Sequence, residues 1–361
     1  MQTILRGLGN IEQVLQEVSG DRYMLVCDSS FDFLPIKDAF HPTVLFNQFT
    51  PNPLYEQVCL GVELFHSQKC NAIVAVGGGS TIDMAKCIKL FCRMDANRNF
   101  LQQEYSDSGV PLIAVPTTAG TGSESTRYAV IYFEGKKQSI THESIVPDYA
   151  ILEPILLKTL PLYQKKCTML DALCQGIESW WSINSTDESI QLSQRAVGII
   201  IDSWHDYIIN NTDSSTADIM DAANIAGQAI NITQTTAPHA MSYKLTSLYS
   251  LPHGHAVALC LPHVWRYMVD NIDKCKDPRG SDYLGSVFQN IAKQMHCTNA
   301  TQAIDKFSDM LRLMDMRTPT SDNRRHDIDT LTNEVNPVRL KNNPINLDQD
   351  TVKSIYEMIV S

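Results

Sequence analysis

One carboxylate and two histidines lie far apart in the sequence, yet together they could bind a divalent metal ion. Asp171 is predicted to open a helix and to share one helical face with Gln175 and Glu178. His239 and His253 follow much later in the chain. A carboxylate oxygen and two imidazoles suit Fe²⁺ or Zn²⁺ and leave a position open for a substrate oxygen. Histidines beside glycine or proline are more often ordinary loop residues, so the spacing alone leaves both interpretations open.

A glycine-rich turn follows the apolar run that ends at Val76. It has the sequence Gly77-Gly78-Gly79-Ser80-Thr81, and apolar residues at helical spacing come after it. Glycines let backbone N–H groups approach a phosphate, and the start of a helix adds partial positive charge. Ser80 is predicted to be the helix N-cap, with Asp83 closing a capping box. The turn is not a G-x-G-x-x-G, and an ordinary tight turn is the alternative.

A second polar turn, over residues 116–124, follows another apolar run and contains Thr117, Thr118 and Thr121. The carboxyl ends of parallel strands meet at one edge of a sheet, where ligands bind in open α/β proteins. Two such turns therefore predict a dinucleotide site. Asp28 ends an earlier apolar run, and it either binds an adenosine ribose, which favours NAD over NADP, or caps a helix.

The elements that position these groups divide the chain into two parts. Short apolar, β-branched runs alternate with helical stretches in the first part, which is typical of a parallel sheet buried on both faces. These runs are residues 23–27, 72–76 and 112–115. The later sequence has mainly helical periodicity. We therefore predict an α/β domain over residues 1–154 and an all-helical domain over residues 155–361.

Composition and charge exclude several classes of protein. Of 361 residues, 43% are apolar and 19% are charged, which is typical of a folded globular chain. The net charge of -11 disfavours a general nucleic-acid binder or an anionic membrane surface as partner. No apolar run approaches the ~18 residues needed to cross a bilayer, and no signal pattern is present. We expect a soluble, cytoplasmic protein whose ten cysteines, without a C-x-x-C pair, are mostly buried thiols.

Several longer motifs, taken together, resemble the iron-containing (group III) alcohol dehydrogenases over nearly the whole chain. The motifs are Gly77–Ser80 with Asp83 and Lys86, Pro116–Glu124, Pro147–Pro154, Asp171–Leu173 with Glu178, Pro252–Gly254 and Leu261–His263. The resemblance implies a dehydroquinate synthase-like fold, with a Rossmann-like dinucleotide-binding domain and an all-helical metal-binding domain. It also implies a cleft between them where a nicotinamide meets the substrate, an NAD(P)-dependent oxidoreductase activity, and a homodimer.

The resemblance assigns ligand contacts residue by residue. The nucleotide contacts fall on Asp28, Asn52, Gly77, Gly78, Gly79, Ser80, Thr81, Thr117, Thr118, Thr121 and Lys137. The metal ligands fall on Asp171, Gln175, His239 and His253. Four-ligand relatives carry histidine in place of Gln175, so we expect three protein ligands plus water, similar to the related glycerol dehydrogenases. Tyr243 replaces a histidine that relays protons in many members; a phenol could donate the proton, or the relay passes elsewhere.

Within the family, Thr235–Ser247 and Asp171–Ser182 resemble the phosphonoacetaldehyde reductases. This implies reduction of phosphonoacetaldehyde to 2-hydroxyethylphosphonate by NADH, with NADPH not excluded. A doubly negative phosphonate needs cationic partners, and Lys244 and Arg127 are candidates that could equally be surface residues.

Three alternatives stay open. One is a dehydrogenase for glycerol or another short alcohol or diol, using the same three-ligand metal. Another, from a different class, is a non-catalytic binding protein with a degenerate metal site, although retention of Asp171, His239 and His253 argues against it. A lyase of the dehydroquinate synthase type fits the motifs less well.

Overall fold

A computed structural model of the chain describes residues 2–7, 9, 11–19, 22–335 and 337–361. The chain forms two compact units, Met1–Leu160 and Pro161–Ser361. We call them the N-terminal unit and the C-terminal unit.

The N-terminal unit is built on a six-stranded, all-parallel sheet in the order β1-β8-β5-β4-β2-β3. The strands of this sheet are β1 (Thr3–Arg6), β2 (Tyr23–Cys27), β3 (Val44–Phe46), β4 (Ala72–Gly77), β5 (Leu112–Pro116) and β8 (Tyr149–Leu152). The helices are α1 (Ile11–Ser19), α2 (Tyr55–Ser67) and α3 (Gly79–Phe91). An antiparallel hairpin of β6 (Tyr128–Phe133) and β7 (Lys136–Thr141) completes the unit. The sheet confirms the fold predicted for this part of the chain, whereas the hairpin was not predicted.

Both faces of this sheet are buried, which explains the continuous apolar runs. Met24 and Val26 point into one core cluster with α2 and α3, while Leu25 and Cys27 point into a second cluster with α1. Every residue of β2, β4 and β5 is buried. Because neighbouring side chains enter different cores, the strands show no polar alternation.

The C-terminal unit is helical throughout its described part, apart from short connections and an isolated bridge. Its helices are α4 (Leu162–Trp181), α5 (Asp187–His205), α6 (Asp213–Thr233), α7 (Ala237–Tyr249), α8 (His253–Asp270), α9 (Ser281–Gln294), α10 (Ala300–Leu313), α11 (Arg324–Asn333), α12 (Pro337–Leu340) and α13 (Gln349–Ile359). Trp181, Trp265 and Phe288 pack together at its centre, with the two indole rings 5.6 Å apart. Among the described helices, none is long and apolar enough to cross a membrane.

The predicted start of the helix that carries Asp171 is wrong. α4 begins at Leu162, directly after Pro161, so Asp171 lies in its middle. Polar residues of the first turns, including Lys165 and Lys166, hide the helical periodicity of this stretch. The consequence is chemical, because a mid-helix carboxylate in a buried segment is held more firmly than one at a frayed end.

Candidate functional site

Three side chains from three helices of the C-terminal unit converge on one point. Asp171 comes from α4, His239 from the first turn of α7, and His253 from the first position of α8. One ligand atom from each lies within 4.8 Å of the other two. Asp171 and His239 are buried, and His253 is half-buried. The donor set of one carboxylate and two imidazoles fits a divalent iron or zinc ion and leaves coordination positions for other ligands.

The charges around this cluster favour a cation. Burial opposes a charge on His239, but the Glu178 carboxylate and then Asp171 outweigh it and raise the pKa of His239 to about 10. Burial likewise opposes ionisation of Asp171, but the hydrogen bond with His239 and the charge of His253 lower its pKa. Because its pKa is lowered, the buried Asp171 carboxylate attracts positive charge, whether a proton or a metal ion.

A glycine permits the approach of α8 to α4. A Cβ added to Gly254 would lie 1.9 Å from the Cys167 carbonyl oxygen and 2.8 Å from Asp171 Cβ. Only glycine fits there, since real Cβ atoms do not come so close to a backbone oxygen. His253, the neighbour of Gly254, is thereby set beside Asp171. The sequence motif contained this glycine, but its packing role depends on a contact that spacing does not show.

Gln175 lies one helical turn beyond Asp171 on α4 and is 3% exposed. Its side chain hydrogen-bonds the Asp171 carboxylate, and this bond is among the interactions that lower the pKa of Asp171. The amide therefore supports the carboxylate. Its oxygen is a neutral donor, weaker toward iron or zinc than the imidazole of four-ligand relatives.

Tyr243 and Lys244 follow one turn after His239 on α7. The Tyr243 ring is parallel to the His253 ring within 4°, with centroids 5.8 Å apart. Lys244 is half-buried, and among the described residues none forms an ion pair with its ammonium group. The structure thus brings the predicted phenol to the edge of the cluster, with a lysine next to it in the chain.

Arg127 has a partner within its own unit. Its guanidinium forms an ion pair with Glu143 and lies 5.7 Å from the centre of the Tyr128 ring. Binding a substrate anion would require this pair to loosen.

In the N-terminal unit, β4 continues into α3 through the predicted glycine turn. Gly77 ends β4, and Gly78 caps α3 with an extended backbone. A Cβ added to Gly77 would lie 2.4 Å from Thr81 Oγ1, so this position requires glycine. The first amides of α3 are presented at the carboxyl edge of the sheet, an arrangement that accepts a phosphate.

The second polar turn packs directly on the first. The Thr117 amide donates a 3.0 Å hydrogen bond to the Gly77 carbonyl oxygen. A Cβ added to Gly79 would lie 2.8 Å from the Thr121 side chain. Gly78 faces Thr118 less closely, since a Cβ added to Gly78 would lie 3.3 Å from Thr118 Cγ2. The hydroxyls of the second turn and the amides of the first therefore share one edge of the sheet.

The predicted capping box is wrong. Ser80 lies inside α3, and its hydroxyl accepts a 3.3 Å hydrogen bond from the Asn52 amide. Asp83 does not reach back to the helix start. Its carboxylate accepts hydrogen bonds from the Ser123 hydroxyl at 2.6 Å and the Val130 amide at 2.9 Å. Asp83 therefore ties α3 to the second turn and the hairpin.

Asp28 and Lys137 lie on neighbouring parts of the same unit. The Asp28 carboxylate caps the short 3₁₀ helix Ser29–Phe33 by accepting from the Ser30 amide at 2.8 Å. Its other oxygen accepts from Thr81 Oγ1 at 3.3 Å, which brings it to the glycine turn. Lys137 lies on β7, where its charge acts on Asp83. The N-cap role of Asp28 is thus observed, and its carboxylate also contacts the glycine turn.

Fold and site together have the features of a metal-dependent dinucleotide oxidoreductase. The family described as iron-containing alcohol dehydrogenase matches residues 2–154, and the C-terminal family of Fe-containing alcohol dehydrogenases matches residues 166–360. The chain belongs to the iron-containing alcohol dehydrogenase family. It is therefore an NAD-dependent oxidoreductase of a family that uses NAD(H) and iron.

Individual relatives carry informative names. The phosphonoacetaldehyde reductase of Streptomyces viridochromogenes is 33% identical over 279 residues, covering 73% of this chain and 69% of that protein. Sulfoacetaldehyde reductase from Bifidobacterium kashiwanohense, solved with NAD⁺, superimposes with a TM-score of 0.88 at 26% identity, covering 99% and 96% of the two chains. An iron-containing alcohol dehydrogenase from Thermococcus thioreducens shares the fold, with a TM-score of 0.89 at 22% identity and coverage of 99% and 98%.

Proposed function

We propose that the chain reduces a two-carbon aldehyde carrying a strong anion, with phosphonoacetaldehyde as substrate, NADH as reductant and 2-hydroxyethylphosphonate as product. The observation that carries the proposal is Lys244, an ammonium group without an ion pair in the described structure, adjacent in sequence to the ring that stacks on His253. The names of two relatives support it, since phosphonoacetaldehyde and sulfoacetaldehyde are both short aldehydes with an anionic group.

Asp171, His239 and His253 would hold the metal in this proposal, with Gln175 steadying Asp171 from the next turn of α4. A divalent metal held by these residues would supply a Lewis acid for the carbonyl oxygen, and a reduced nicotinamide would supply the hydride. Iron and zinc both fit the donor set, and the family favours iron.

The remaining steps belong to the protein's own side chains. Tyr243 donates a proton to the substrate oxygen. Stacking on the candidate metal ligand His253 positions its phenol for this role. Lys244 binds the phosphonate through charge-assisted hydrogen bonds and so orients the aldehyde carbon. Replacing Tyr243 by Phe tests the first role: turnover of bound substrate should fall while KM changes little, and unchanged turnover refutes it.

Residues 1–154 bind the dinucleotide and residues 155–361 bind the metal in this proposal. Two polar turns and two nearby residues contact the pyrophosphate region. The contacts come from the backbone at Gly77, Gly78 and Gly79 and from Ser80, Thr81, Thr117, Thr118, Thr121, Asn52 and Lys137. Asp28 binds the adenosine ribose and repels a 2′-phosphate. NADH is therefore preferred, and a lower KM for NADPH than for NADH would contradict this assignment.

A second candidate is a dehydrogenase of glycerol or another short alcohol or diol. Gln175 favours it, since three strong protein ligands resemble the layout of the related glycerol dehydrogenases.

We also expect a homodimer in the cytoplasm, where the free cysteines would stay reduced. Light scattering of the purified chain tests the dimer.

The deciding experiment compares substrates on one enzyme preparation. The chain is loaded with Fe²⁺ under anaerobic conditions, and NADH oxidation is followed with phosphonoacetaldehyde, sulfoacetaldehyde and propionaldehyde. The proposal predicts a much higher kcat/KM for the anionic aldehydes than for propionaldehyde. Equal values for all three would overturn it, and oxidation of glycerol by NAD⁺ without reduction of any of them would support the second candidate.

A further inference from the structure

We propose that Glu178 is a positioning residue that keeps the proton of His239 on Nδ1, so that Nε2 is left to bind the metal. The inference rests on the metal site of the proposed function. It concerns a residue that touches neither substrate nor metal and that acts through His239.

Glu178 lies two turns beyond Asp171 on the same face of α4 and is fully buried. Its Oε1 forms a hydrogen bond with His239 Nδ1. A carboxylate oxygen accepts hydrogen bonds, so in this pair Nδ1 is the donor. The other ring nitrogen, Nε2, lies 3.2 Å from Asp171 Oδ1, on the side of the candidate metal ligands. The bond to Glu178 thus selects which nitrogen is available as a ligand.

The second oxygen of Glu178 is fixed as well. Oε2 accepts hydrogen bonds from the Thr236 amide at 2.7 Å and the Thr236 hydroxyl at 2.9 Å. That hydroxyl accepts in turn from Trp181 Nε1 at 2.9 Å. Trp181 is buried against Trp265 in the helical core. With both oxygens occupied, the carboxylate has no freedom to rotate, and the orientation of His239 is anchored in the core.

A purely structural role is the competing explanation, because Thr236 stands at the start of α7 and Glu178 ties that start to α4. The two explanations differ in what happens to metal affinity. A structural tie affects folding stability alone. A positioning role affects metal binding beyond any loss of stability.

The test measures Zn²⁺ and Co²⁺ affinity of the full-length chain by chelator competition, together with the visible spectrum of the Co²⁺ form. Glu178→Gln should weaken binding about 10- to 100-fold and alter the Co²⁺ spectrum, because the amide cannot accept from both neighbours. The matched control is Asp277→Asn, which alters a buried carboxylate of the same unit that pairs with Arg279 away from the cluster. It should leave affinity and spectrum unchanged. Wild-type affinity in Glu178→Gln overturns the inference.

Thr236→Val separates orientation from charge. This variant keeps the Glu178 charge and removes one of its fixed hydrogen bonds. A positioning role predicts a several-fold loss of affinity, whereas a purely electrostatic role predicts none and would overturn the inference.

Two further measurements keep the test decisive. If Glu178→Gln does not fold, ¹⁵N NMR of the histidine-labelled, Zn²⁺-loaded wild-type chain decides, since the inference requires the His239 proton on Nδ1 and a proton on Nε2 refutes it. If the wild-type chain binds Co²⁺ no better than His253→Ala, the proposed metal site itself is refuted. Wild-type binding with an unaffected Glu178→Gln refutes only the role of Glu178.

Discussion

Gly254 on α8 packs so closely on α4 that a Cβ at Gly254 would lie 2.8 Å from Asp171 Cβ. The same Cβ would lie 1.9 Å from the Cys167 carbonyl oxygen, which cannot move without distorting α4. Asp171 and His253 are two of the three candidate metal ligands. Their helices come this close because position 254 has no side chain.

Replacing Gly254 by Ala should push α8 away from α4. We expect a loss of about 1–3 kcal/mol in the free energy of unfolding, the usual range for overpacking, and weaker Zn²⁺ binding. The matched control is Gly285→Ala in α9, where the added Cβ would meet Ile272 at an ordinary 3.5 Å. This control should be neutral or stabilising, because alanine favours helix over glycine. Equal stability and metal affinity in the two variants would refute the packing argument.

Lys244 should determine the preference for an anionic substrate. In Lys244→Ala, kcat/KM for phosphonoacetaldehyde should fall roughly 10- to 100-fold, since a hydrogen bond to a charged group contributes about 1.5–3 kcal/mol. The value for propionaldehyde should not change. Lys244→Arg should retain part of the preference for the anionic aldehyde. Lys293→Ala, which removes an exposed lysine of α9, is the control and should leave this preference unchanged. An equal loss on both aldehydes in Lys244→Ala would assign the lysine to folding instead.

Gln175→His should restore a third imidazole to the cluster. Because imidazole is a stronger ligand than an amide oxygen, we expect metal affinity to rise roughly tenfold or more, equivalent to about 1.4 kcal/mol. Chelator competition with Zn²⁺ measures the change, and Gln175→Asn shows the effect of altering the side chain without adding a ligand. Unchanged affinity in Gln175→His would mean that position 175 does not reach the metal.

Lys86 should make the stability of the chain depend on pH in the alkaline range. Its fully buried ammonium shares its three hydrogens among four nearby oxygens, the Ser123 hydroxyl, the Thr126 carbonyl and hydroxyl, and the Tyr128 carbonyl. Burial nevertheless lowers the pKa of Lys86 from 10.5 to about 8. Between these two values the unfolded chain binds the proton and the folded chain does not, so raising the pH favours folding.

Urea unfolding of the wild type and Lys86→Met across this pH range measures the effect. The stability difference between wild type and variant should grow in favour of the wild type from pH 8 to about 10.5 and should level off above that. Below pH 8 this contribution is lost, because lysine is then protonated in both states. Parallel curves for the two proteins would contradict the low pKa.

The sequence predicted those parts of the fold that depend on local pattern. The predicted runs at residues 23–27 and 72–76 are strands because their successive apolar side chains fill two cores in alternation. The hairpin Tyr128–Thr141 was missed although β6 is apolar throughout, since both of its strands are only partly buried and β7 is mainly polar. The start of α4 was missed because one side of its first turns is polar.

The convergence of the cluster residues could be inferred only through resemblance. Nothing in the spacing of Asp171, His239 and His253 requires that their ligand atoms meet. The contacts of Glu178 and Gly254 also escaped sequence reasoning, because each depends on a second helix. Glu178 did leave a signal, since it shares the face of α4 that carries Asp171.

Transfer of deuterium from NADH labelled at the transferable C4 position tests the central claim most directly. The Fe²⁺-loaded chain is incubated with the labelled NADH and phosphonoacetaldehyde, and the product is analysed by NMR and mass spectrometry. We predict 2-hydroxyethylphosphonate with one deuterium at the carbinol carbon, and no such product from His253→Ala. Consumption of NADH without this product, or equal yield from His253→Ala, would contradict the proposed reduction at the cluster of Asp171, His239 and His253.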